Sequence, residues 1–360
     1  MTRSQLADLP DVANLAQLAG FDEIIDVRTP SEFAEDHVPG AVNRPVLSDE
    51  ERTRIGTLYK QVSAFNGRKL GAALVARNIA QHLEVDFIER PKSWRPLVYC
   101  WRGGKRSAAM VHILREIGWD AQRLGGGYKA YRRAVLTELP QLARSHSFRV
   151  ICGLTGSGKS RLLETLERRG AQVLDLERLA AHRGSVLGSL PNELQPAQKL
   201  FESRIWWRLR SLDAKVPVFV ESESKRIGTL QVPAELMEAM RESACVHVET
   251  AITTRVELLL EQYAHFLGDP RALGRQLDLL VPLHGRETIE RWKGLAQQRT
   301  WHALVRELLE RHYDPAYRRS VARHYPLFPQ ARRLQLDSCA ESSFESAALE
   351  LLRESTPTVA

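Results

Sequence analysis

The sequence predicts an α/β protein built from two parallel-sheet modules. Three observations predict it. Apolar runs that read as buried strands alternate with helical patterns; a G-x-x-x-x-G-K-S loop separates one such strand from a helix; and a cysteine opens a cationic, glycine-rich loop at another strand–helix junction. At 360 residues the chain is long enough for two or three domains with their own cores. With 43% hydrophobic and 26% charged residues, neither a disordered nor a fibrous class fits. No apolar run approaches the length of a membrane span. The first twenty residues carry acidic side chains and lack a signal peptide's apolar core, so a cytoplasmic location is expected. The net charge of +7 suits a polyanionic partner such as RNA, and equally suits a plain solvated basic surface.

The first module is expected over residues 12–137. EIIDV (23–27) reads as a buried strand that stops at Arg28-Thr29-Pro30, and Ser31 opens a short helical SEFAED run. VPGAVN is turn chemistry followed by a short strand. Residues 49–90 are mostly helical in pattern, KLGAALVARNIAQHL most clearly. PLVYC (96–100) is a second buried strand, SAAMVHILREIG an amphipathic helix, and AQRLGGGYKAYRRAV closes the module. Residues 138–147 read as a linker. The second module is expected over 148–360, with strands at FRVICG (148–153), AQVLDL (171–176), VPVFVE (216–221) and ACVHVE (244–249). From Thr253 to His312 the pattern is almost wholly helical and rich in arginine. A last strand, RLQLDS, and a last helix, SFESAALELLRE, end the chain.

The run Gly153-Leu154-Thr155-Gly156-Ser157-Gly158-Lys159-Ser160 is a complete P-loop pattern in its proper strand–loop–helix context. Its glycines let backbone N–H groups turn toward a phosphate, and the helix N-terminus adds its positive dipole end. Lys159 is expected to neutralise the terminal phosphate, and Ser160 is the candidate ligand for Mg²⁺; no other metal site is read from the sequence, and no cofactor is certain. Nucleoside triphosphatases usually place an Asp at the end of a later buried strand. Here the candidates are Glu221 and, on an earlier strand, Asp175, neither a clean match. Phosphate binding is therefore better supported than ATP hydrolysis.

Cys100 follows a buried strand and precedes a helix, in the run Cys100-Trp101-Arg102-Gly103-Gly104-Lys105-Arg106. Backbone N–H groups, a helix N-terminus and the three cations all favour a thiolate nucleophile and a bound oxyanion. Cys100 and Arg106 are the expected catalytic pair, with residues 101–105 as the cradle. Cys152 and Cys245 lie inside apolar strands and read as core, while Cys339 carries no motif. None of the four forms a CxxC pair, which argues against structural zinc and a disulfide framework.

DVRTPSEFAEDHVPGAVN (26–43), YCWRGGKRS and LGGGYKAYRR together resemble a rhodanese domain. Sulfurtransferases of that fold usually place four residues between the cysteine and the loop arginine. Here five intervene, which widens the cradle toward a phosphorylated donor or a larger chalcogen. The expected architecture is thus a rhodanese-like parallel-sheet domain followed by a P-loop NTPase-like α/β domain with a helical, Arg-rich C-terminal part. This order of modules, with DLERLAAHRGSVLG, QPAQKLFESRIWWRL, FVESESKRIG and HYDPAYRRS, resembles the tRNA 2-selenouridine synthases over nearly the full length.

That resemblance implies a substrate, tRNA carrying 2-thiouridine at wobble position 34, and two reactions. The sulfur is first geranylated by geranyl diphosphate; selenium from selenophosphate, supplied by a selenophosphate synthetase, then replaces the geranylthio group. No membrane partner is implied. Asp26 and Arg28 match a rhodanese hallmark and are read as a structural ion pair. Glu177, His182 and Arg183 join Asp175 and Glu221 in runs shared with the family. Trp206 to Arg210 and the arginines of 311–333 are candidate tRNA contacts, the two tryptophans reading equally well as core. The sequence does not identify the residues that cover the geranyl chain. Competing readings are an ATP-dependent tRNA sulfurtransferase or kinase-like enzyme, a phosphatase, and a non-enzymatic tRNA-binding scaffold.

Overall fold

The protein is described by a computed structural model covering residues 11–191 and 193–355. The first ten residues, half of the segment in which no signal-peptide core is read, and the last five of the second expected module lie outside the described residues. The chain divides into two compact units, residues 1–139 with 196–204, and residues 140–195 with 205–360.

The first unit holds β1 (Val12–Ala13), β2 (Glu23–Asp26), β3 (Val42–Asn43), β4 (Pro96–Tyr99) and β5 (Gln122–Leu124) in one parallel sheet of order β1-β5-β4-β2-β3. β4 is buried along its whole length, as the continuous apolar run PLVY requires of a central parallel strand. Thr29 caps the helix Pro30–Glu35 in a capping box with Glu32, so the helix opens just before the Ser31 that the sequence suggests. Two helices, Asp49–Gln61 and Ala64–His82, fill the segment between β3 and β4. The core gathers Ile25, Val27, Val98, Met110, Val111 and Leu114. Segment 196–204 belongs here too: Arg132 pairs with Glu202 and donates to Ser203 Oγ at 3.5 Å.

The segment expected to be a linker, 138–147, contains the boundary between the two units, and it is helical as far as Ser145, the end of the helix Gly127–Ser145. Pro140 inside it costs roughly 3 kcal/mol of helix stability. Tyr128, Tyr131, Val135, Leu139 and Ala143 nevertheless recur every three or four residues and are all buried, so tertiary burial outweighs the local breaker.

The second unit holds β6 (Phe148–Cys152), β7 (Gln172–Leu174), β8 (Val218–Glu221), the antiparallel pair β9 (Arg226–Ile227) and β10 (Leu230–Gln231), β11 (Ala244–Thr250) and β12 (Arg332–Leu336). Five of these form a parallel sheet of order β12-β11-β6-β8-β7. β6 is central, so the loop after it opens at the carboxyl edge of the sheet, where ligands of open α/β sheets bind. The helices Lys159–Arg168 and Glu341–Ser355 supply Leu162, Leu163, Leu166, Phe344 and Leu351 to the core beside the sheet. From Ile252 to His324 the chain is almost wholly helical, with its own core around Leu277, Ile289, Trp292 and Leu304. Among the described residues no helix is long and apolar enough to cross a membrane.

Candidate active site

In the first unit, β4 delivers Cys100 to the start of a tight loop and the helix Lys105–Ile117 leaves it. Gly104 caps that helix without a side-chain hydrogen bond, so its first N–H groups are not taken by a capping side chain. Cys100 is buried at the loop base, its Sγ 3.3 Å from Ser107 Oγ. Trp101, Arg102, Gly104 and Lys105 are exposed around it, and Gly103 is half-buried. The run Gly125-Gly126-Gly127 passes directly beneath: Tyr128 N donates to Cys100 O and Lys129 N to Trp101 O, both at 2.9 Å. Gly127 has φ +58°, and a Cβ there would lie 2.2 Å from Cys100 O, so only glycine fits.

Arg106 does not stand free in the cradle. Its Nη1 donates to Glu32 Oε2 at 2.9 Å, and although burial opposes it, this pairing holds Glu32 below the usual carboxylate range. Asp26 and Arg28 form the expected pair, with Arg28 Nε and Nη2 on the Asp26 carboxylate at 2.7–3.1 Å. Arg28 also donates to Asp36 O and lies 3.9 Å from the Tyr128 ring centroid, while Tyr128 Oη donates to Asp36 Oδ2 at 2.9 Å. A buried polar network of this kind fixes the loop's support because each member would be costly to leave unpaired.

In the second unit the P-loop residues line a cleft of about 750 Å³ with Glu177, Arg183, Glu223, Tyr263, His312, Tyr313 and Tyr317. Lys159 Nζ folds back onto Gly153 O at 2.8 Å and Leu154 O at 3.4 Å, the position from which an incoming phosphate would draw it. Burial pushes its pKa down, and the surrounding glutamates resist that shift. Ser160 Oγ donates to Glu177 Oε2 at 3.0 Å. These two oxygens beside bound phosphate would suit a Mg²⁺ ion, which takes few protein ligands; among the described residues no group of three or more His, Cys, Asp or Glu side chains is placed to hold a metal.

Asp175 and Glu221 stand one layer behind the cleft rather than on its wall. Asp175 Oδ1 accepts from Arg178 N at 2.8 Å and caps a short helix. Glu221 Oε1 accepts from Glu177 N at 2.9 Å, and its Oε2 is buried without a partner. Burial, then Asp175, Glu177 and Glu223, push Glu221 well above the carboxylate range, which disfavours its charged form. Glu223, on the cleft wall, is pushed up to about 8, mainly by burial and then by Glu177.

Four side chains that complete this site, Arg255, Asp314, Tyr317 and Glu223, carry no motif of their own. Arg255 Nε donates to Thr155 O at 2.9 Å and its guanidinium pairs with Asp314, both side chains nearly buried. Tyr317 Oη accepts from Gly153 N at 2.7 Å and lies 3.1 Å from Ser222 Oγ. Glu223 stands in FVESESKRIG and both Asp314 and Tyr317 in HYDPAYRRS, so the runs are legible in the sequence although the roles are not. Arg183 lines the cleft over the Tyr263 ring, at 4.8 Å, whereas His182 is buried and accepts from Gly184 N. Cys152 and Cys245 are buried, as expected. Trp206 is fully buried and therefore core rather than a stacking platform; Trp207 is partly exposed. Arg311, Arg318, Arg319 and Arg323 are exposed.

The rhodanese-like domain family matches residues 8–134, and the family described as the tRNA 2-selenouridine synthase AAA domain matches residues 146–272. A tRNA 2-selenouridine synthase of Pseudomonas syringae pv. syringae is 35% identical over 324 residues, covering 82% of this chain and 87% of that protein. The chain belongs to the tRNA 2-selenouridine synthase family. A second member, from Marinobacter nauticus, is 32% identical over 87% of this chain and 92% of its own length. A third, from Nitrosomonas europaea, is 38% identical over 67% of this chain, and the chain spans 63% of that relative's length. The two matched ranges take in the Cys100 loop and the P-loop, one each. Asp314 and Tyr317, which hold the P-loop from behind, lie beyond both matched ranges.

Proposed function

We propose that the protein is a transferase converting 2-thiouridine to 2-selenouridine at the wobble position of cytoplasmic tRNA. The observation that carries this reading is the coexistence, in one chain of this family, of a complete phosphate cradle and a complete cysteine cradle. In the first step the thiocarbonyl sulfur attacks the first carbon of geranyl diphosphate. The carbon–oxygen bond breaks and diphosphate leaves with the electron pair. Lys159, the loop N–H groups of 153–160 and Arg183 take up the charge that grows on the leaving group. Glu221 bears on the choice between this reading and NTP hydrolysis. It ends the buried strand at which a nucleoside triphosphatase usually places its metal-holding Asp, yet it lies behind the cleft wall and burial disfavours its charged form. A diphosphate leaving group makes no demand on it.

In the second step selenium from selenophosphate, the product of a selenophosphate synthetase, replaces the geranylthio group. The loop from Cys100 to Arg106 binds the phosphorylated donor. Cys100 attacks carbon 2 of the geranylated base and expels geranylthiolate; selenide, set free from selenophosphate as water takes the phosphoryl group to give phosphate, then displaces the Cys100 thiolate from that carbon. Exposed Arg102 and Lys105 supply positive charge, whereas Arg106 becomes available only by exchanging Glu32 for the donor.

The test separates the half-reactions. Lys159→Ala is expected to abolish S-geranylation of thiolated tRNA and leave selenation of pre-geranylated tRNA intact. Cys100→Ser is expected to do the reverse. Mass spectrometry of the wobble nucleoside reads both. Unimpaired geranylation by Lys159→Ala, or selenation at wild-type rate by Cys100→Ser, would refute the assignment.

A further inference from the structure

The phosphate cleft shares a wall with a second cavity in the same unit. Thr155, Ser185, Leu259, Tyr263 and Tyr313 line both. All the hydroxyl groups of the second cavity lie on this shared wall; beyond it the lining is aliphatic or aromatic. Depth in this cavity can be read along the chain. Tyr313, Leu309, Val305 and Trp301 recur every fourth residue along the helix Trp301–Leu308 and its continuation Leu309–Tyr313, which places them on one face. Tyr313 stands at the phosphate cleft, and Trp301 lies twelve residues away, roughly 18 Å along the axis. Phe266 and Leu304 close the sides.

The occupant is constrained in two ways. A nucleotide base would bring ring nitrogens and an exocyclic amine into a space with too few polar groups to pair them, at the cost of unsatisfied donors and acceptors. A hydrocarbon needs no such partners and gains from leaving water. The size limits it further. The cavity of about 60 Å³ has room for roughly four to six water-sized groups, which is the bulk of one isoprene unit.

We infer that this cavity seats the terminal isoprene unit of a prenyl diphosphate, the first unit lying along the shared wall, and that Trp301 at the far end restricts the donor to two units. The inference rests on the reading that the P-loop holds the donor's diphosphate, and it adds the residues that select chain length. Longer chains are rejected because Trp301 occupies the space a third unit needs; shorter chains leave the cavity unfilled and lose its apolar contact.

The experiment uses the full chain and thiolated tRNA, with dimethylallyl, geranyl and farnesyl diphosphate as competing donors. In Trp301→Ala the ratio of kcat/KM for farnesyl over geranyl is expected to rise about tenfold or more, the discrimination a few methylenes provide. In Val305→Phe, which narrows the middle of the cavity, preference should move toward dimethylallyl. Thermal melts establish that both variants are folded. Ratios unchanged in both folded variants would overturn the assignment of the cavity. Failure of the underlying reading looks different: the wild-type chain would transfer no prenyl group, inorganic diphosphate would not inhibit, and the inference would fall with it. Strong competition by ATP that Trp301→Ala relieves would also overturn it, by placing a base in the cavity.

Discussion

Glu223 gives the P-loop cleft, the proposed diphosphate site, a sensitivity to pH whose direction follows from its surroundings. Its carboxyl ionises at about 8 rather than 4.5, because burial and the neighbouring Glu177 disfavour a further negative charge. Lys159 opposes the shift without cancelling it. Between the unfolded and folded values the native protein holds a proton that the unfolded chain has lost, so this group's contribution to stability falls as pH rises from 4.5 to about 8. The same charge governs anion binding. If the prenyl diphosphate binds only when Glu223 is neutral, its apparent affinity falls about tenfold between pH 7 and pH 9, from a protonated fraction of about nine-tenths to about one-tenth. Glu223→Gln keeps the shape and removes the titration. The measurement is the inhibition constant of a non-reactive prenyl diphosphate analogue across this range, for wild type and variant side by side, so that titration of the ligand cancels. The wild-type curve should weaken about tenfold relative to that of the Glu223→Gln variant. Parallel curves would refute Glu223 as the titrating group.

Three further outcomes are expected. Asp314→Ala leaves the Arg255 guanidinium buried and unpaired beneath Thr155; it should cost about 3–5 kcal/mol in chemical denaturation, and diphosphate inhibition should weaken even where the protein remains folded. Gly127→Ala forces a side chain against Cys100 O at a φ of +58°; selenation of pre-geranylated tRNA should be lost while S-geranylation persists, and equal loss of both would argue for general misfolding. Replacing Arg318, Arg319 and Arg323 together by Ala should weaken tRNA binding and flatten its dependence on salt by up to about three phosphate contacts; an unaltered slope would remove this exposed stretch from the tRNA surface.

Both candidate loops are legible in the sequence because each is a contiguous run whose neighbours announce the geometry. The glycines of 153–158 and the glycines after Cys100 stand between an apolar strand and a helix, and local sequence alone sets the backbone there. The structure places Asp26 and Arg28 in the ion pair read from their hallmark run. Residues 138–147 do contain the boundary between the units, but their helical conformation is hidden in the sequence, because Pro140 and the polar residues around it signal a break while the burial pattern that overrides them extends back to Tyr128. Asp175 and Glu221 attract notice because they end strands. Sequence locates strand ends to within a residue or two, but which carboxylate faces the cleft depends on the path of the following turn, and Glu177 and Glu223 line it.

What the sequence determined by itself was therefore the pair of cradles and their order along the chain, since close neighbours in sequence are close neighbours in space. What only the tertiary structure decided was how those cradles are held and tuned. Tyr317 meets Gly153 across 164 residues and Arg255 meets Thr155 across 100. Arg106 is tied to Glu32 across 74 residues, and Glu223 owes its raised pKa to burial among groups brought together by folding. Such effects come from desolvation and long-range pairing, which depend on where the chain returns to itself and leave no periodicity or spacing to read.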